Sequence, residues 1–81
     1  MNIIVYTKTG CPWAIAVLNY LKEKNIAFEE RDIIAHPKFR AEVEAKSGQN
    51  KSPTLDIDGH IVPDAGVEDV EKALKQLGAI S

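Results

Sequence analysis

With 81 residues the chain has room for one domain, residues 1–81, and one modest core, since a chain of this size buries roughly 60–65% of the surface it would expose unfolded. Hydrophobic residues make up 44%, charged residues 27%, and the formal net charge is -2 with neither sign gathered into a stripe or tail, a pattern that excludes nucleic acid as a partner and excludes a long disordered segment. A single cysteine excludes an internal disulfide, and a small chain without such staples suits a reducing, cytoplasmic setting. The start, Met1-Asn2-Ile3, lacks the charged n-region of a signal peptide, and the longest uncharged apolar run, residues 13–18, is far too short to cross a bilayer, so no membrane association is expected.

Residues 2–6 contain Ile3, Ile4, Val5 and Tyr6, a β-branched and aromatic run that predicts a buried strand. Residues 7–10 read as a loop. Pro12 suits the first turn of a helix, where its missing N–H is no loss. Ala14, Val17, Leu18 and Leu21 then recur on one helical face, and the helix is expected to stop at Asn25 after the polar Lys22, Glu23 and Lys24. Residues 26–32 read as a second strand. Strand, helix and strand within about thirty residues make a βαβ unit, so the two strands should run parallel. Pro37 opens a second helix, with Phe39 and Val43 turned inward and Gly48 closing it. Residues 54–57 and 60–62 flank Asp58-Gly59, a strong hairpin signal. A last helix starts near Gly66, carries Val67, Val70, Leu74 and Leu77 along one face, and ends at Gly78. The order is βαβαββα. This is an α/β chain whose right-handed crossover and hairpin build a four-stranded mixed sheet flanked by three helices. Arg40, Glu42, Glu44 and Lys46 read as a solvated helix face. His36 and His60 read as surface residues without partners at metal-ligand spacing, so no metal is expected.

The chemistry gathers at Cys11, where a buried strand hands over to a helix. A thiolate at that point faces unpaired backbone N–H groups and the positive end of the helix dipole. Lys8, in the same loop, brings a positive charge close. Both effects favour the thiolate and lower the pKa. At a free pKa of about 8.5 only about 3% of a thiol is ionised at pH 7, so lowering it multiplies the reactive species by up to roughly thirtyfold. A lone cysteine is more often an inert small hydrophobe. Here the small, polar Thr9 and Gly10 argue for exposure instead.

The stretch Tyr6-Thr7-Lys8-Thr9-Gly10-Cys11-Pro12-Trp13 resembles the active-site segment of the glutaredoxins, in which a lysine precedes a Cys-Pro-aromatic-Cys motif. Ala14 stands where a dithiol glutaredoxin carries its second cysteine, one helical turn from the nucleophile. The chain is either a natural single-cysteine form or a second-cysteine-to-alanine variant of a Cys-Pro-Trp-Cys glutaredoxin. Natural monothiol members usually carry serine there, which leans the reading toward the variant. Lys51-Ser52-Pro53-Thr54 falls where the family places Thr-Val-Pro. The resemblance implies that Pro53 is cis and faces the cysteine, and that the backbone of Ser52 pairs with an extended thiol peptide. Gly66-Val67-Glu68-Asp69-Val70 resembles the family's Gly-Cys-Asp-Asp-Leu segment. There the first backbone N–H groups of the last helix take the γ-glutamyl carboxylate and an acidic side chain takes the amino group. The approach through Val62-Pro63-Asp64-Ala65 is longer than the family's short Ile-Gly-Gly.

The resemblance thus implies a thioredoxin-like (glutaredoxin) fold and a glutathione-dependent thiol–disulfide oxidoreductase with glutathione as co-substrate. Cys11 would be the catalytic nucleophile. Lys8, Pro12, Trp13, Lys51, Ser52, Pro53, Val67, Glu68 and Asp69 would hold glutathione, with Trp13 at the surface shielding the sulfur. The partners expected are glutathione and glutathionylated proteins or small mixed disulfides, met by a monomer. An alternative from another class is a protein that binds or delivers an iron–sulfur cluster with the help of glutathione. Pro12-Trp13 argues mildly against it, because cluster-binding members typically have Gly-Phe after the cysteine.

Overall fold

Alternation along the first strand divides the molecule. In the computed structural model, which describes residues 1–81, β1 (Ile3–Thr7) sends Ile3 and Val5 to one face of the sheet and Ile4 and Tyr6 to the other. The remaining elements are α1 (Pro12–Glu23), β2 (Glu29–Asp32), α2 (Pro37–Ser47), β3 (Thr54–Ile57), β4 (His60–Val62) and α3 (Val67–Gln76). The strands lie in the order β2-β1-β3-β4. β1 runs parallel to β2 and antiparallel to β3, and β3 pairs antiparallel with β4. This is the four-stranded mixed sheet of the thioredoxin-like fold.

The larger cluster packs Val17 and Leu21 of α1 and Val70, Ala73 and Leu74 of α3 onto Ile3, Val5, Leu55 and Ile57. Fully burying one such aliphatic side chain contributes about 1.5–3 kcal/mol. On the opposite face Val43 of α2 meets Ile4, Tyr6 and Ile33, with Phe39 beside them. The helices stop as the local chemistry requires. Asn25 (φ 57) follows α1 in the left-handed region, with Asn25 N–H donating to Lys22 O at 3.0 Å and Ile26 N–H to Leu21 O at 2.9 Å. Gly78 ends α3 in the same way, with Gly78 N–H to Lys75 O at 3.1 Å and Ala79 N–H to Leu74 O at 2.8 Å. Asp58 (φ 51) and Gly59 (φ 89) form the expected two-residue hairpin turn.

Four details depart from the sequence reading. The second strand begins at Glu29 rather than at residue 26: Ile26 N–H is spent closing α1, and pairing with β1 starts only at Ile4 opposite Glu29. Thr7 is not loop but the buried end of β1, its hydroxyl donating to Glu30 at 3.0 Å. Leu77 lies past the last turn of α3 and is 40% exposed, and Ala73 takes the place in the core. The face carrying Glu42 and Lys46 is not simply solvated. Glu42 accepts from the Tyr6 hydroxyl and from Arg31, while Lys46 donates to the Tyr6 oxygen and to Asp56, both at 2.7 Å. Burial raises the Tyr6 phenol above its ordinary range, and the Tyr6 hydrogen bond holds the Glu42 carboxyl below its own. Only Arg40 and Glu44 form the exposed pair expected of such a face.

Candidate active site

Cys11 is the residue that caps α1, with extended backbone (φ -74, ψ 114). Its N–H donates to Lys8 O at 3.0 Å and its carbonyl accepts from Ile15 N–H at 3.1 Å. Closing that turn needs Gly10 at φ 78; open space surrounds the position, so glycine is required there by conformation alone. Pro12 occupies the first helical position and has no N–H. The next free donors are therefore those of Trp13 and Ala14, and they face the sulfur. Burial pushes the Cys11 thiol up. Hydrogen bonding from Ser52, the Ala14 and Trp13 N–H groups and the Lys8 charge outweigh it, and the net direction is downward. The thiol itself is half-buried and lies 3.7 Å from Ser52 O, to which it donates.

The segment facing the sulfur is fixed from both sides. The Ser52-Pro53 bond is cis. Lys8 N–H donates to Ser52 Oγ at 3.0 Å. Ala65 N–H donates to Pro53 O at 2.7 Å, which ties the approach to α3 alongside the proline. Thr54 Oγ1 serves as a hub: it donates to Lys51 O at 2.7 Å and accepts from Gln49 Nε2 at 3.1 Å and Asp64 N–H at 3.3 Å. From Ser52 a hollow of about 230 Å³ runs between Trp13, Asp64, Ala65 and Gly66. It continues, sharing Trp13 and Gly66, into a cleft of about 420 Å³ lined also by Ala16, Val67, Glu68 and Asp69. Trp13 is 69% exposed and forms the common wall, as its place after the proline led us to expect.

Of the residues the sequence singled out, Trp13, Ser52, Val67, Glu68 and Asp69 line this groove; Cys11 meets it through its contact with Ser52, Pro12 precedes Trp13 at the start of α1, and Pro53 is buried behind Ser52. Lys8 lies in the Cys11 loop, where its charge favours the thiolate and its N–H holds Ser52. Lys51 is exposed beside the groove, 3.9 Å from Asp64. Glu68 and Asp69 differ in availability: Asp69 Oδ2 accepts Gly66 N–H at 2.8 Å and so closes the start of α3, whereas Glu68 has no such bond. Three further residues shape the site. Asp64 lines the hollow, Thr54 holds the approach, and Asp32 accepts the Thr9 hydroxyl at 2.5 Å together with the N–H groups of Ile34 and Ala35. The hydrogen bond from Thr9 is the main cause holding the Asp32 carboxyl below the ordinary range. An aspartate at a strand end is a legible turn signal, but its reach to Thr9 is made by the tertiary fold.

The glutaredoxin family model matches residues 3–62. This chain belongs to the glutaredoxin family. The matched stretch runs through Cys11, Ser52 and Pro53 and ends before α3. Over 91% of the chain and 99% of the relative, it is 31% identical to an uncharacterized glutaredoxin-like 8.6 kDa protein in the rubredoxin operon of Clostridium pasteurianum. Among solved structures it matches the thioredoxin-like protein BC3987 with a TM-score of 0.80, at 31% identity over 86% of this chain and 96% of that one. It also matches a glutaredoxin from Brucella melitensis with a TM-score of 0.68, at 35% identity over 96% of this chain and 82% of that one. Membership supports chemistry of the thiol–disulfide oxidoreductase type, and the glutaredoxin family uses glutathione as reductant.

Proposed function

We propose that this glutaredoxin removes glutathione from mixed disulfides by a single-cysteine route. The observation that carries the reading is Cys11 at the head of α1, its thiol pKa held down, facing the Ser52-Pro53 segment with Ala14 where a resolving thiol would stand. The Cys11 thiolate attacks the glutathione sulfur of a glutathionylated protein or small mixed disulfide. The Cys11–glutathione bond forms, the substrate's sulfur–sulfur bond breaks, and the substrate leaves as a thiolate that takes a proton from water. A second glutathione thiolate then attacks the glutathione sulfur of the adduct. Glutathione disulfide leaves and Cys11 recovers its electron pair.

In this reading glutathione lies extended along the groove. Its backbone pairs with Ser52, which is a strand-addition mode. Its γ-glutamyl carboxylate meets the N–H groups of Val67 and Glu68 at the start of α3, and its amino group meets Glu68, the carboxylate not already closing the helix. Lys8 or Lys51 takes the glycyl carboxylate. We place the protein in a reducing, cytoplasmic setting as a monomer, where external glutathione is plentiful enough for the second step.

The test is exposure to oxidised glutathione with little reduced glutathione present, followed by intact-mass spectrometry and a structure of the product. The mass is expected to rise by one glutathionyl group, at Cys11, with the tripeptide in this groove. The Cys11→Ser protein is expected to stay unmodified. An unmodified wild-type chain, or glutathione bound on another face, would overturn the substrate assignment.

A further inference from the structure

The Ser52 side chain differs from the family's usual valine, and its position gives it work that a valine cannot do. We propose that the Ser52 hydroxyl is a hydrogen-bond donor to the Cys11 thiolate, held on target by the backbone of Lys8. The proposal rests on the reading of Cys11 as the nucleophile.

Ser52 Oγ accepts the Lys8 N–H at 3.0 Å, so its oxygen is fixed against the same loop that carries the cysteine. It donates to no protein oxygen or nitrogen in the structure, and its proton is left for the sulfur. The carbonyl of the same residue lies 3.7 Å from Cys11 Sγ, which puts Ser52 against that sulfur, with its hydroxyl oxygen tied to the loop that carries the cysteine. The two groups suit opposite protonation states. A thiol can donate to the carbonyl. A thiolate cannot, and it needs a donor, which the hydroxyl supplies. Among the groups that lower the Cys11 pKa, Ser52 stands ahead of the Ala14 and Trp13 N–H groups and of Lys8.

The consequence falls on both steps. In the first, the hydroxyl increases the fraction of Cys11 present as thiolate. In the second, an incoming thiolate forms a bond to the glutathione sulfur and the bond to Cys11 breaks, leaving the electron pair on Cys11 Sγ. A donor already aimed at that sulfur stabilises it as a leaving group. The Lys8 N–H adds to the effect, because a hydroxyl that accepts a hydrogen bond donates a stronger one.

The test is the pH dependence of alkylation of the full chain by iodoacetamide, measured for wild type and for Ser52→Ala, Ser52→Val and Ser52→Thr. The alanine and valine variants are expected to shift the midpoint upward and to react about tenfold more slowly below it, the effect of losing one hydrogen bond to a charge. Threonine keeps the hydroxyl and is expected to track the wild type. Its contrast with the equally shaped valine separates hydrogen bonding from packing. Circular dichroism reports folding, and the smaller alanine variant carries the test if valine does not fold. A low wild-type midpoint that valine and alanine leave unmoved, or a threonine variant displaced as far as valine, overturns the role of Ser52 alone. A wild-type midpoint at the value of a free thiol overturns both this proposal and the reading of Cys11.

Discussion

Replacing Asp32 by alanine tests how the active-site loop is anchored. The wild-type carboxylate accepts three hydrogen bonds, from the Thr9 hydroxyl at 2.5 Å, Ile34 N–H at 2.8 Å and Ala35 N–H at 3.1 Å. A bond to a charged acceptor contributes about 1.5–3 kcal/mol when sheltered. These are solvent-facing, and water re-forms much of what is lost, so the three together are worth about 1.5–2 kcal/mol. For a domain of this size that lowers Tm by roughly 10 °C. Asp32→Asn keeps an oxygen for the two N–H groups, loses the charge and is expected to cost about half as much. The pH dependence follows from the lowered carboxyl. A carboxylate whose pKa is depressed by folding contributes stability that is fully present above its unfolded pKa of about 3.9 and is lost as pH falls through the folded value. The gap in Tm between wild type and Asp32→Ala should therefore be constant near neutrality and should close below about pH 4. Thermal melts by circular dichroism from pH 7 to pH 2.5 measure it. A neutral-pH cost below about 0.5 kcal/mol, or a gap that persists unchanged in acid, would refute the anchoring argument.

Tyr6→Phe removes a buried hydroxyl from Glu42 and Lys46, but Glu42 keeps Arg31 and Lys46 keeps Asp56. The cost should therefore be about 1–1.5 kcal/mol, and alkylation of Cys11 should keep its pH profile. Because the Tyr6 hydrogen bond depresses the Glu42 carboxyl, the variant should also lose less stability than wild type as pH falls through the carboxylate range; melts that show an equal or steeper acid loss would count against the network. Ala14→Cys puts a sulfur at a site that is 2% exposed, at a packing cost of about 1 kcal/mol, one helical turn from Cys11. Treated with oxidised glutathione it should end as an internal disulfide without a glutathionyl mass, and it should gain reduction of insulin disulfides. A stable glutathione adduct instead would show that residue 14 does not control resolution.

Features specified by neighbours in sequence were legible. Asn25, Gly48, Gly78 and Asp58-Gly59 mark their turns because the left-handed backbone they adopt has few other occupants. The parallel pairing of β1 with β2 followed from the helix between them. The Cys11 loop, Ser52-Pro53 and the start of α3 could be named because their motifs are short and ordered along the chain. What was not legible depends on partners distant in sequence. Residues 26–28 look like strand, yet Ile26 serves the helix stop. Glu42 and Lys46 look like surface charges because α2 buries only Val43. Tyr6 and Asp56, which engage them, come from other strands. The Ser52 hydroxyl went unread for the same reason, since its partner Lys8 lies across the fold.

The register of the sheet explains why these separate pieces meet. Tyr6 pairs with Thr54, Thr7 with Asp32, and Leu55 with Val62. The carboxyl ends of β1, β2 and β4 and the amino end of β3 therefore lie at one end of the sheet. The loops carrying Lys8 to Cys11, Asp32 to His36, Ser52-Pro53 and Asp64 to Gly66 all leave from that end. Each loop is then tied to a neighbour by hydrogen bonds, among them Thr9 to Asp32, Lys8 to Ser52 and Ala65 to Pro53. Sliding β3 by one residue would invert its side chains and move Ser52 away from Cys11 in the same step. Core residues such as Leu55 and Ile57, fully buried within β3, act on the chemistry through that register. The charged network lies on the α2 side of the sheet, opposite α1 and α3, where Lys46 joins Tyr6 of β1 to Asp56 of β3, so it bears on the groove only through those strands and not by contact.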